Sequence, residues 1–114
     1  REKALIGGWF PAPDPKGWSN FTASYAKTYG ATPPRIASLA YDAVSLAVSL
    51  SQNPPGQRYT PALLTRASGF AGVDGLFRLL PDGTSERGLA ILEVRDYGPQ
   101  LLEPPPNGFT SAQY

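Results

Sequence analysis

The chain has 114 residues, a formal charge of +1 and a sequence pI near 8.2. That length allows one domain at most, yet it is enough to bury roughly two thirds of the unfolded surface. The sequence contains no cysteine and no histidine, which removes disulfides, thiolate metal sites and the usual general base, zinc ligand and pH switch together.

The ten Lys and Arg are scattered rather than gathered on one face, so nucleic acid is not indicated as a partner. No apolar run approaches the roughly 20 residues that span a bilayer, and no signal peptide is visible. There is no methionine, and the start Arg1-Glu2-Lys3 leads straight into an apolar segment, so the chain is expected to be a piece of a longer protein.

Ala4 to Phe10, ALIGGWF, reads as a short buried strand ending where the backbone turns. Phe10 to Pro15 is proline-rich and reads as an extended loop, with Trp9 and Phe10 at its mouth. Asp14-Pro15 starts a helix, because Asp is a preferred N-cap and Pro suits the first helical position. Within Lys16 to Tyr29, Trp18, Phe21, Tyr25 and Tyr29 recur at steps of three and four and form one aromatic stripe. Such a stripe could be a sugar-stacking platform, but a helix face packed on a sheet is the commoner use. Gly30 is the natural C-cap, and Pro33-Pro34 blocks continuation.

Pro34 to Gln52 reads as a second helix. Ser38, Asp42, Ser45, Ser49 and Gln52 form a narrow polar stripe; Ile36, Leu39, Ala40, Ala43, Leu46, Ala47 and Leu50 fill the opposite arc, where the alanines allow close approach of a sheet or helix. Tyr41 falls at the border of the two faces, where it can bury its ring and keep its hydroxyl for water or a ligand. Thr60-Pro61 opens a third helix, Pro61 to Ala67. Phe70 to Val94 follows, with two apolar runs, Leu76 to Leu80 and Leu89 to Val94, flanking the polar connection Pro81 to Glu86. This is the strongest hairpin signal in the chain. Gly69, Gly72 and Gly75 are candidate bends before it. Gln100 to Glu103 suggests one more short strand, and residues 104–114 a proline-led tail.

No catalytic constellation emerges. The nine acids lie singly along the chain, and the serines of the second helix have no histidine or suitably spaced lysine to activate them. A binding or interaction role, with no enzyme activity, cofactor or metal, is therefore expected.

Four segments together carry a resemblance. They are the strand ending GGWF, the helix closing with Tyr29-Gly30 and a proline pair, the helix ASLAYDAVSLA, and FAGVDGLFRLLPDG followed by RGLAILEV. In this order they resemble the C-terminal part of a type I periplasmic substrate-binding protein of the leucine/isoleucine/valine-receptor kind. AYDAVSLA, the FAGVDG-LF stretch and ERGLAILEV are also similar to the C-terminal domain of the lipoprotein activators of penicillin-binding proteins, which share that fold.

The resemblance implies an α/β chain that is part of a type I periplasmic-binding-protein fold, with helices packed on a sheet and a β-hairpin at the inter-lobe crossover. Residues 4–10 would be a crossover strand, 15–67 a helical layer, 70–103 the closing strands and 104–114 a tail. The implied function is that of a bacterial solute receptor for an ABC-type importer, taking an amino acid or similar small molecule in the cleft of the complete protein. A cell-envelope interaction module of the activator type is the alternative. Expected partners are a missing N-terminal portion or a second chain, and a membrane permease or a cell-wall synthase. The expected location is the periplasm, with a lipid anchor on the full-length protein as one form. Tyr41, Trp9 and Phe10 match the family's cleft positions and are the candidate ligand-binding residues, Tyr41 first.

Overall fold

The computed structural model describes residues 3–109. After a single 3-10 turn at Lys3–Leu5, β1 runs Trp9–Ala12. Three helices follow: α1, Pro15–Tyr29; α2, Ala37–Leu50; and the short α3, Pro61–Leu64. Five strands complete the chain: β2, Phe70–Gly72; β3, Gly75–Leu79; β4, Ser85–Arg87; β5, Ala90–Arg95; and β6, Gly98–Glu103. With β1 they form two antiparallel three-stranded sheets, β1-β5-β6 and β2-β3-β4.

The helix starts follow from local chemistry. The Asp14 carboxylate accepts the Lys16 N–H at 3.0 Å with Pro15 at the first helical position, and Gly30 closes α1 at φ 71°. The Thr60 hydroxyl caps α3 by accepting the Leu63 N–H. α3 stops at Leu64, short of the expected Ala67, because Thr65 leaves helical geometry (φ −105°, ψ 25°).

Three expectations need correction. The first strand is Trp9–Ala12, not Ala4–Phe10, and so includes Pro11 from the expected loop. Pro11 is tolerated because β1 is an edge strand, paired with β5 only. The second concerns hairpin pairing. Phe77–Leu79 pairs with Ser85–Arg87, with Phe77 opposite Arg87, whereas the second apolar run contributes β5, Ala90–Arg95, to the other sheet. Gly88 divides the two apolar runs: its N–H donates to the Leu76 carbonyl at 2.8 Å, and the chain then leaves the hairpin. The third concerns α2, whose buried line is Ser38, Asp42 and Leu50. Of the expected apolar arc Leu50 is buried and Leu46 half-buried, whereas Ile36 and Leu39 are exposed, as are Val44 and Val48; of the expected polar stripe Ser45, Ser49 and Gln52 are exposed. The tail folds back, with Pro106 against Gly88 and the Phe109 ring beneath the Arg78 guanidinium.

Leu50, Phe70 and Phe77 form the core between α2 and the β2-β3-β4 sheet, lined by Leu46, Leu63, Leu64 and Leu79. This core is small for the chain. The solvent-accessible surface is 8116 Å² for 12.2 kDa, against about 6,100 Å² for a closed globular protein of that mass. The radius of gyration is 16.8 Å, where a closed domain of this length has about 13 Å. The molecule is a slab of 54 × 49 × 20 Å, with much of its apolar surface open.

Candidate functional site

The best-defined constellation sits where α1, α2 and the β2–β3 turn meet. β2 and β3 are joined through Val73-Asp74, with Gly72 opposite Gly75 in register. The Asp74 carboxylate is buried and accepts from Arg35 Nη2 at 2.8 Å and from the Ser38 hydroxyl at 2.7 Å. The Arg35 guanidinium also stacks 4.3 Å from the Trp18 ring centroid, so one side chain ties α1 to the start of α2 and to the turn. Burial pushes the Asp74 carboxyl up, but the hydrogen bonds from Arg35 and Ser38 and the charges of Arg35 and Arg87 outweigh it. The carboxyl is held below its ordinary value.

One helical turn further along α2, Asp42 Oδ1 accepts the Val73 N–H at 2.8 Å. Its other oxygen, Oδ2, is buried, has no hydrogen-bond partner among the described residues and rests against Gly72. A Cβ at Gly72 would collide with that carboxylate, and a Cβ at Gly17 would collide with the Val73 carbonyl. Both glycines are thus required by close approach, one at the hairpin end and one where α1 presses on the turn. Gly69 and Gly75, the other expected bends, take φ of 67° and 95° inside packed structure.

Beside this joint lies a groove of about 520 Å³ between α1 and α2. Its walls are Phe21, Tyr25, Tyr29 and Tyr41, with Asn20, Ser24 and Thr28 along one rim and Gly17, Gly72 and Val73 at the joint. Tyr41 meets Phe21 edge-on at 5.3 Å between centroids, and Tyr25 meets Tyr29 at 4.6 Å. The lining offers ring faces, hydroxyls and an amide, but no charged side chain. It can stack on a flat or aliphatic group and hydrogen-bond neutral polar atoms.

Of the three residues singled out from sequence, Tyr41 lines this groove and is 56% exposed. Trp9 and Phe10 lie on β1, opposite Glu93 and Leu92 of β5. Phe10 lines a separate shallow depression with Val94, Arg95, Gly98 and Pro99, and Trp9 is 73% exposed and lines neither. The three are not gathered into one pocket.

Sequence reasoning noted the α1 stripe but assigned it to packing; here Phe21, Tyr25 and Tyr29 wall the groove. It missed the Arg35–Ser38–Asp74 cluster entirely. The one available signal was the four-residue step from Ser38 to Asp42, which places both side chains over the same strip of neighbouring structure. No group of three or more Asp or Glu residues that could hold a metal ion occurs among the described residues. None of the described helices is long and apolar enough to cross a membrane.

No protein-family model matches the chain, and no curated protein does. Among solved structures, the chain is similar to a protein from Rhodospirillum rubrum described as "a putative branched-chain amino acid ABC transporter". The TM-score is 0.69 at 24% sequence identity, covering 89% of this chain and 32% of that one. At this identity the likeness establishes the fold: a mixed helix-and-sheet part of a type I periplasmic-binding-protein-like architecture. The chain spans about a third of the length of the structure it matches.

Proposed function

We propose that the chain is part of a solute-binding receptor that works with an ABC-type importer and takes an amino acid or similar small molecule. The observation that carries this is the fold match to a structure described as a putative branched-chain amino acid ABC transporter, together with an open, ring-walled groove that Tyr41 lines. On this reading the protein acts in the periplasm and has no enzyme activity. Tyr41 contacts the apolar part of the ligand, and Trp9 and Phe10 serve the cleft from the β1 side. The ligand's charged ends are then held by residues outside this chain, because the groove lining has no charged side chain.

That same lack of charge favours a second reading, a cell-envelope interaction module on the same fold, in which the groove and its surroundings contact protein. Calorimetric titration of the natural-length protein with the twenty amino acids separates the two. Saturable heat for at least one, weakened by Tyr41→Ala, supports the receptor. No heat for any of them supports the interaction module.

A further inference from the structure

Along α1 a hydrogen-bonding residue is followed directly by an aromatic one three times, at a spacing of four: Asn20-Phe21, Ser24-Tyr25 and Thr28-Tyr29. A four-residue step on a helix advances about 6 Å along one face. The three pairs therefore form two parallel rails, one of rings and one of polar side chains, and both line the same groove of about 520 Å³. The ring centroids follow one another at 6.1 Å and 4.6 Å. Tyr41 faces them from α2, meeting Phe21 edge-on. Asn20, Ser24, Thr28 and Tyr29 are exposed, and Phe21 and Tyr25 half-buried. The tyrosine hydroxyls here are also unused. Those of Tyr59 and Tyr97 are bonded within the chain, whereas those of Tyr25, Tyr29 and Tyr41 form no hydrogen bond among the described residues.

We propose that the two rails bind a neutral saccharide of one or two rings, its C–H faces against Phe21, Tyr25 and Tyr29 and its hydroxyls on Asn20, Ser24 and Thr28. A sugar ring has apolar faces and a rim of hydroxyls that both donate and accept. The groove offers the same two chemistries side by side: ring faces, and amide and hydroxyl groups that donate and accept. The lining has no charged side chain. An amino acid needs residues outside this chain for its charged ends, whereas a neutral sugar can be held by groups this chain already carries. A phosphorylated or acidic ligand finds no cation in the lining, and an acyl chain would use the rings but leave the polar rail idle. The volume is that of a small-molecule site, and the rise from Phe21 to Tyr29 is about 12 Å, room for a disaccharide.

This inference rests on the reading of the groove as a ligand site but not on the amino acid named for it, and its test separates the two. The natural-length protein is titrated calorimetrically with glucose, N-acetylglucosamine, cellobiose and chitobiose, with leucine alongside. Tyr29→Leu removes a ring and keeps apolar bulk, Tyr29→Phe keeps the ring, and Ser24→Ala removes a hydroxyl from the polar rail. Leu and Ala are at least as good helix formers as the residues they replace, so α1 should persist, and circular dichroism checks that it does. The expected result is saturable heat for at least one saccharide. Tyr29→Leu and Ser24→Ala should each weaken it roughly threefold to tenfold, and Tyr29→Phe less than Tyr29→Leu. No heat for any of the four saccharides overturns the inference. Saccharide heat that neither Tyr29→Leu nor Ser24→Ala weakens also overturns it, because the sugar then sits elsewhere. Leucine heat without saccharide heat removes only this inference; saccharide heat without leucine heat leaves it standing and counts against the amino acid.

Discussion

The two sides of α2 behave in opposite ways. Ser38, Asp42 and Leu50 are buried with Leu46 half-buried beside them, while Ala40, Ala43, Val44, Ala47 and Val48 are bare, as are Ser45 and Ser49. Hydropathy alone would not put Ser38 and Asp42 inside and Val44 and Val48 outside. The buried side is determined by hydrogen-bond demand: the β2–β3 turn presents the Val73 N–H and the Asp74 carboxylate, and Asp42, Ser38 and Arg35 answer them at 2.7 to 2.8 Å. A buried polar group left unpaired costs free energy, so the turn's Val73 N–H and Asp74 carboxylate and the side chains of Asp42, Ser38 and Arg35 require one another. The bare side has no such counterpart among the described residues. The contrast is between a joint hydrogen-bonded within this chain and a surface left open among the described residues.

The sharpest way to break that contrast is through the core behind the joint. Phe77→Ala, at a residue 6% exposed, is expected to cost about 3–5 kcal/mol in denaturant unfolding. Trp9→Ala on the open β1 edge should stay within about 0.5 kcal/mol. Comparable losses for the two would show that the open regions are as tightly built as the core.

Next in size is the joint itself. Gly72→Ala places a methyl group against the Asp42 carboxylate and should cost about 1–3 kcal/mol. Asp42→Ala removes the obstacle, so the double variant should lose measurably less than the two single losses added together. Strict additivity would mean that the close approach is not what makes Gly72 necessary.

Asp74→Asn leaves Ser38 and Arg35 without their charged partner and should cost about 1–3 kcal/mol near neutral pH. Its acid behaviour is more diagnostic. The folded Asp74 carboxyl is held below its ordinary value of 3.8, so it contributes stability above that value and loses it as pH falls below 3.8 through the folded value. Unfolding curves taken across that acid window should show this limb in the parent protein and a shallower one in Asp74→Asn. An unchanged limb would assign acid sensitivity to other carboxylates.

The smallest effect on stability is expected at the groove. Tyr41→Ala, at a half-exposed ring, should cost less than about 1 kcal/mol while weakening ligand heat in the natural-length protein. A large unfolding penalty with unchanged ligand heat would make Tyr41 a packing residue.

The elements with local causes were legible in the sequence. Asp14-Pro15 and Gly30 bound α1 as their types require, and Thr60-Pro61 opens α3. The overall class was legible too, since four segments in order pointed to the fold that the structural match supports. Strand partners were not. Two apolar runs around a Pro-Asp-Gly turn look like mutual partners, but three residues, Ser85–Arg87, complete that hairpin and Leu89–Val94 departs to another sheet. The site was half legible: Tyr41 stood out as a border residue, while the rings it meets on α1 were one stripe among others.

What the sequence determined by itself was the set of features whose energy is settled within a few residues: caps, turns, helical periodicity and the missing chemistry of histidine and cysteine. The tertiary structure alone decided which face of α2 turns inward. That choice depends on Val73 and Asp74, more than 30 positions away, whose buried donor and carboxylate no local pattern announces. Leaving that donor or that carboxylate buried and unpaired would cost about 1–3 kcal/mol each, and the same inward turn of α2 also brings Leu46 and Leu50 to the core.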